Sequence, residues 1–202
     1  EAAGRTGPGQ RGVKRTIIEM GGKNAVIVDA DADLDQAVAG VVQSAFSYQG
    51  QKCSACSRAI VLAGCYDRFV ERLGEAVKGI RVGPPEDPQH FMGPLIDGQA
   101  RDRVLGYQAL GRQEGTVVAE APAPEGGFYC PPLVVAGLPT ESRLLSEEIF
   151  GPLLALIRVR DMDEALDRAN ATDYALTGGL YSRSPFTIGR CLEGFEVGNL
   201  YI

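Results

Sequence analysis

The chain has 202 residues, is 45% hydrophobic and carries a formal net charge of −6 with acids and bases interspersed. That length and apolar content suffice for one core, so a globular, soluble fold of one domain with part of a second is expected. No basic stripe points to nucleic acid, and no apolar stretch reaches the roughly 18 residues a membrane span needs, so neither partner is expected.

Along the chain, Glu1-Ala2-Ala3-Gly4-Arg5 reads as the tail of a helix already under way, with no charged-then-apolar leader. Gly7-Pro8-Gly9-Gln10-Arg11-Gly12 has the form G-x-G-x-x-G, but no apolar strand precedes it and a strand-like run follows it, so it reads as a turn. Thr16-Ile17-Ile18 then reads as a strand with Glu19 at its end, followed by Met20-Gly21-Gly22-Lys23. A carboxylate at a strand end beside two glycines can approach a substrate as a general base. Ala25–Asp29 is a β-branched run of the kind buried on both faces of a sheet. After Asp33, an N-cap, the apolar positions 34, 37, 38, 41, 42, 45 and 46 have helical spacing.

The nine residues Gly50-Gln51-Lys52-Cys53-Ser54-Ala55-Cys56-Ser57-Arg58 put a cysteine after a glycine and a cation, where a helix could begin. A free thiol titrates near 8.5, and a helix N-terminus or a nearby lysine lowers that value, so this setting favours a nucleophilic thiolate. Cys53-x-x-Cys56 could also be a redox pair or half a zinc site. Zinc needs two more ligands, and His90 is the only histidine, so no metal is expected. Taken without any resemblance, either cysteine reads better as a buried structural residue. Five cysteines without a compact framework fit a reducing compartment, and the reading is cytoplasmic.

Further on, 59–62 reads as a strand and 66–77 as a helix that Gly83-Pro84-Pro85 ends. The segment from Asp97 to about Gln113 reads as a polar amphipathic helix, with strands at 116–119, 133–135 and 153–157. Met162–Ala171 is a helix, Gly178–Tyr181 a strand, Phe186–Phe195 a helix, and Gly198–Ile202 a strand with no turn signal after it. This βαβ-like alternation predicts an α/β fold, a largely parallel sheet with helices on both faces.

Three segments together resemble the aldehyde dehydrogenase superfamily: Glu19-Met20-Gly21-Gly22-Lys23, Gly50-Gln51-Lys52-Cys53 and Glu147-Glu148-Ile149-Phe150-Gly151-Pro152. They stand in that family's order, with Glu19 34 positions before Cys53 and Glu148 95 positions after it. The resemblance covers nearly the whole chain, and the cysteine loop looks most like the 1-pyrroline-5-carboxylate (glutamate-semialdehyde) dehydrogenase branch. It implies NAD as cofactor, a small aldehyde as substrate and a homo-oligomeric parent enzyme. It also implies Cys53 as nucleophile, Glu19 as general base, Ser54 on the substrate carboxylate, Glu148 on the nicotinamide ribose, Phe150 and Gly21 beside the cofactor, and Cys56 as structural. On the same ground, residues 1–19 are the end of a dinucleotide-binding domain and 20–202 a catalytic domain whose substrate-anchoring loop and oligomerisation segment lie further on. Two alternatives fit the same residues: another member of the superfamily, such as a succinate-semialdehyde or betaine-aldehyde enzyme, and a catalytically silent domain.

Overall fold

The computed structural model describes residues 4–12 and 14–202; the expected helix tail at 1–3 lies outside them. The elements are β1 (Ala25–Val28), α1 (Leu34–Phe46), β2 (Arg58–Leu62), α2 (Tyr66–Lys78), α3 (Gly98–Glu114), β3 (Thr116–Glu120), β4 (Leu133–Ala136), α4 (Arg143–Ser146), β5 (Leu153–Val159), α5 (Met162–Asn170), β6 (Thr177–Tyr181), α6 (Pro185–Gly194) and β7 (Asn199–Tyr201). Seven strands form one sheet in the order β3-β4-β5-β2-β1-β6-β7. Every neighbouring pair is parallel except β3 and β4.

The alternation along the central strands assigns the layers. Val28, Val61, Leu154 and Leu156 face α1 and α2, packing on Val38, Val41, Phe69 and Leu73. Their neighbours Ile27, Ile60, Leu62 and Val159 face the opposite way, onto Met162 and Ala165 of α5 and Cys191 of α6. On that second face, Leu133, Val135 and Leu153 meet Ala100 and Val104 of α3. Helices therefore cover both faces, and β1 and β2 are apolar except for Arg58 at the head of β2, because nearly all of their side chains are kept from water.

Local chemistry explains most boundaries. Asp33 caps α1 by accepting from Asp35 N and Gln36 N, and Asp97 caps α3 through Ala100 N. The helix α2 ends earlier than Gly83-Pro84-Pro85. Gly79 closes it with its N–H on Glu75 O, and Ile80 and Val82 then leave the helix to bury their side chains in the core. The strand expected at Thr16–Ile18 is absent: no strand pairs with it among the described residues, and Ile17 is 93% exposed. A strand is stable only when its N–H and C=O groups find a neighbouring strand, which apolar composition alone does not supply.

Phe69 is fully buried between α2 and the sheet. Phe69→Ala should lower unfolding stability by about 3–5 kcal/mol, read from the urea midpoint, while far-ultraviolet dichroism keeps its native shape.

Candidate active site

Three loops meet at the amino-terminal edge of the sheet: residues 20–24 before β1, 47–57 before β2 and 147–152 before β5. Gly22 is their junction. Its N–H donates to Glu148 Oε1 at 2.8 Å, and a Cβ built on it would collide with the carbonyl oxygen of Cys53. Gly21 is as confined, since a Cβ there would lie 2.7 Å from Glu148 Oε2 and 2.9 Å from the Tyr174 ring. A second close passage locks the other two loops together, because a Cβ on Gly50, which has φ +66°, would strike the carbonyl oxygen of Gly151. Only glycine allows backbones to approach this closely.

The structure thus gathers Gly21, Glu148 and Cys53 around Gly22. Phe150 stands beside Glu148 with φ 57°, its ring partly exposed. Ser54 lies on the far side of the cysteine turn, where with Lys52 it lines a cavity of about 370 Å³ between α1 and the strands β1 and β6. Glu19 is not brought in. It is exposed on the extended segment that precedes Gly21 and makes no hydrogen bond among the described residues, so its expected strand-end setting is corrected along with the strand.

Cys53 does not begin a helix either. It follows the carboxyl end of α1 and a 3-10 turn, Ser47–Gly50, and sits inside a tight turn closed by Ala55 N donating to Lys52 O at 2.9 Å. A helix-dipole contribution at Cys53 is therefore not available from this geometry. The turn before it is strained instead: Tyr48 and Gln49 are both left-handed, at φ 51° and 60°, which costs non-glycine residues about 1–2 kcal/mol each. Crowding explains it, since α1 is packed up to Phe46 and the chain reverses directly after it to lead through residues 47–57 into β2.

The adjacent glutamates do different things. Glu147 accepts from Arg143 Nε at 2.8 Å and from Tyr107 Oη; these partners, Arg143 first, hold its carboxyl down at about 2. It ties α4 to α3. Glu148, released from that pairing, turns to Gly22.

Three buried polar residues behind the loops are not legible from motif chemistry. Asn24 joins the cysteine turn to β6 through its amide. Arg58 is 2% exposed and donates to Lys23 O and to the last carbonyls of α5, those of Arg168 and Ala169; burial pulls it down to about 10. Lys23 is 1% exposed, and its ammonium has no hydrogen-bond partner among the described residues; burial first, then Arg58, pushes it down to about 7, against the pull of Glu148, Cys56 and Glu147. A polar Lys-Asn pair entering an otherwise apolar strand is the one sequence signal that could have found the first and last of these. Cys56 is buried with its thiol on Arg58 O, pushed up to about 12 by burial, as a structural cysteine should be.

Comparison with known proteins decides the family. Residues 4–202 match the aldehyde dehydrogenase family. The chain belongs to that family. Among its relatives, 1-pyrroline-5-carboxylate dehydrogenase of Bacillus subtilis is 45% identical and that of Anoxybacillus flavithermus 44%, each over the whole of this chain and 39% of the relative. The chain thus spans about two fifths of the curated relatives it matches. Among solved structures, proline utilization A (PutA) from Bdellovibrio bacteriovorus superposes with a TM-score of 0.91 at 54% identity, over 98% of this chain and 21% of that one. A Thermus 1-pyrroline-5-carboxylate dehydrogenase with bound NAD gives 0.88 at 45% identity, over 99% and 39%. Among the described residues, no cluster of His, Cys, Asp and Glu could hold a metal ion, and no helix is long and apolar enough to cross a membrane.

Two measurements follow from this family site. Cys53 is half-buried whereas Cys56, Cys65, Cys130 and Cys191 are buried, with burial pushing the thiols of Cys130 and Cys191 up to about 11. Iodoacetamide at neutral pH should therefore label Cys53 first by mass-spectrometric mapping; faster labelling of Cys56 or Cys130 would contradict the assignment. For Lys23, the unfolded chain binds a proton between about 7 and 10.5 that the folded chain does not, so its burial penalty is full below about 7 and fades toward 10.5. Lys23→Met should raise the urea midpoint most near pH 6–7, and the gain over wild type should shrink as pH rises.

Proposed function

We propose that this chain is the catalytic part of an NAD-dependent dehydrogenase that oxidises L-glutamate 5-semialdehyde, derived from 1-pyrroline-5-carboxylate, to glutamate in proline catabolism. The observation that carries it is the Gly22 junction, which puts the backbone of Cys53 and the carboxylate of Glu148 against one residue. The substrate class rests on the dehydrogenase names of relatives at 44–45% identity. In this reading residues 1–19 close a dinucleotide-binding domain, 20–202 form the catalytic domain, and the whole enzyme is a cytoplasmic homo-oligomer.

In the chemistry proposed, the Cys53 thiolate adds to the aldehyde carbon, and the backbone N–H of Cys53 donates to the oxyanion that forms. No protein group among those described accepts that N–H, which leaves it available for the task. NAD, when bound, supplies the acceptor for the hydride that leaves the same carbon, so that a thioester of Cys53 remains. The residues present fit such a group: Glu148 is a fixed acceptor for a sugar hydroxyl, and the narrow cradle at Gly21 would be filled by any Cβ. Phe150 would flank the ring. Water activated by Glu19 then cleaves the thioester and frees the thiolate, with Glu19 brought in from its exposed segment in the whole enzyme. Ser54, which lines the cavity beside the cysteine turn, would receive the substrate carboxylate.

The identity of 54% to proline utilization A from Bdellovibrio favours one variant of this reading, in which the chain is the distal part of a larger proline-oxidising protein. Sequencing the flanking gene distinguishes the two.

The test uses the full-length enzyme. Glu19→Gln should keep a rapid first turnover of NADH and slow later ones by about 10²–10⁴-fold, the usual loss of a general base. Equal slowing of the first and later turnovers would assign Glu19 another task, and Cys53→Ser retaining activity would end the thioester reading.

A further inference from the structure

Acyl transfer demands more of a cysteine than reactivity. The sulfur must reach the carbonyl carbon while a hydrogen-bond donor stands where the oxyanion appears, so the main chain around the nucleophile has to be fixed. Among the described residues, Asn24 supplies the side-chain hydrogen bond to the Cys53 main chain. Asn24 is 6% exposed, at the entry to β1. Its Nδ2 donates to Cys53 O at 2.8 Å and to Ala55 O at 2.8 Å, while its Oδ1 accepts from Thr177 N of β6 at 3.1 Å. Its own carbonyl accepts from Ser57 N and Arg58 N, both at 3.2 Å, and from Ser57 Oγ at 3.3 Å. One residue therefore ties the cysteine turn to two strands of the central sheet.

The geometry around Cys53 completes the case. Lys52 O is turned toward Ala55 N, and because a trans peptide sets its N–H opposite its C=O, the Cys53 N–H points out of the turn. The peptide on the other side of the Cys53 Cα is the one held by the Asn24 amide. Both peptides flanking the nucleophile are pinned, one by the turn and one by Asn24.

We propose that Asn24 is a positioning residue for acyl transfer: it holds the Cys53 main chain so that sulfur and N–H act on the same carbonyl group. The proposal rests on the reading of Cys53 as nucleophile. Its consequence is selective. Loss of the amide should damage reactions that develop an oxyanion and spare those that need only a thiolate.

Two reagents separate these on the full-length enzyme. With 4-nitrophenyl acetate the Cys53 sulfur forms a bond to the acetyl carbon, the ester C–O bond breaks, and 4-nitrophenolate leaves with the electron pair. With methyl methanethiosulfonate the same sulfur forms a disulfide and methanesulfinate leaves, with no oxyanion on carbon. Rates at Cys53 are followed for wild type, Asn24→Ala and Asn24→Ser, with mass mapping and a melting curve for each. Asn24→Ala should slow acetylation by about 10²-fold, the scale of losing an oxyanion donor, and leave disulfide formation near its wild-type rate. Asn24→Ser, whose hydroxyl can serve one of the two carbonyls, should fall between, and it carries the comparison if the alanine variant does not fold. Equal slowing of both reactions, or no slowing of either, would overturn the proposal and leave the nucleophile standing. A wild-type Cys53 that takes the disulfide but no acetyl group would overturn it as well. If neither reagent modifies Cys53 in the wild-type chain, the nucleophile reading fails, and the proposal with it.

Discussion

The site depends on a contact that only a missing side chain permits. Gly22 lies so close to the carbonyl of Cys53 that no Cβ fits between them, and its N–H is taken by Glu148. Any larger residue would push the cysteine turn off the Gly21-Gly22 segment and break the hydrogen bond from the Gly22 N–H to that carboxylate. Gly50 against Gly151 repeats the device between the cysteine loop and the Glu148 loop. Three loops far apart in sequence are thereby held together by close backbone contact, and a fixed arrangement of this kind is what a preorganised site requires.

The placement of that body in the fold is unusual for a sheet of this type. In open parallel sheets, ligands are generally met at the carboxyl ends of the strands, where loops lead into helix N-termini. Here the loops that carry Gly22, Cys53 and Glu148 all enter strands, so the site lies at the amino ends of β1, β2 and β5. Helices arrive there by their carboxyl ends. That leaves exposed carbonyls in place of N–H groups, and Arg58 satisfies two of them at the end of α5 from a fully buried position. Individual donors stand there instead, the Gly22 N–H on Glu148 and the Asn24 amide on the carbonyls of Cys53 and Ala55.

Buried polar groups behind the site set its cost. Burying a cation is expensive unless it is paired, and Arg58 finds its compensation in backbone carbonyls. Lys23 finds none through hydrogen bonds among the described residues, and burial therefore drives it toward its neutral form, with Glu148 and Glu147 opposing that drive. The strained pair Tyr48 and Gln49 adds to the cost on the other side of the cysteine turn. Such strain persists only where surrounding structure over-determines it, here by the packed end of α1, the ring of Tyr48 under the Lys52 ammonium at 5.9 Å, and the passage of Gly50 under Gly151.

Much of this was legible in the sequence. Hydrophobic period located β1, β2, β5, α1, α2 and α3 to within a few residues, because their burial on one or two faces follows directly from side-chain spacing, and Asp33 and Asp97 marked helix starts by ordinary capping chemistry. The short motifs named Gly21, Cys53 and Glu148, which the fold brings together around Gly22. What the sequence could not decide was anything that depends on a partner. The apolar run at Ile17 and Ile18 forms no strand, since strand pairing is a tertiary event, and Glu19 stays exposed with it. The turn at Cys53 replaced the expected helix start because packing of α1 and entry into β2 leave the chain no room for another helical turn. In one dimension Asn24 and Lys23 are marked only as a polar pair ahead of an apolar strand. Only the closing of three loops over the strand edge buries them, and only that burial makes an amide a hub and an ammonium a liability.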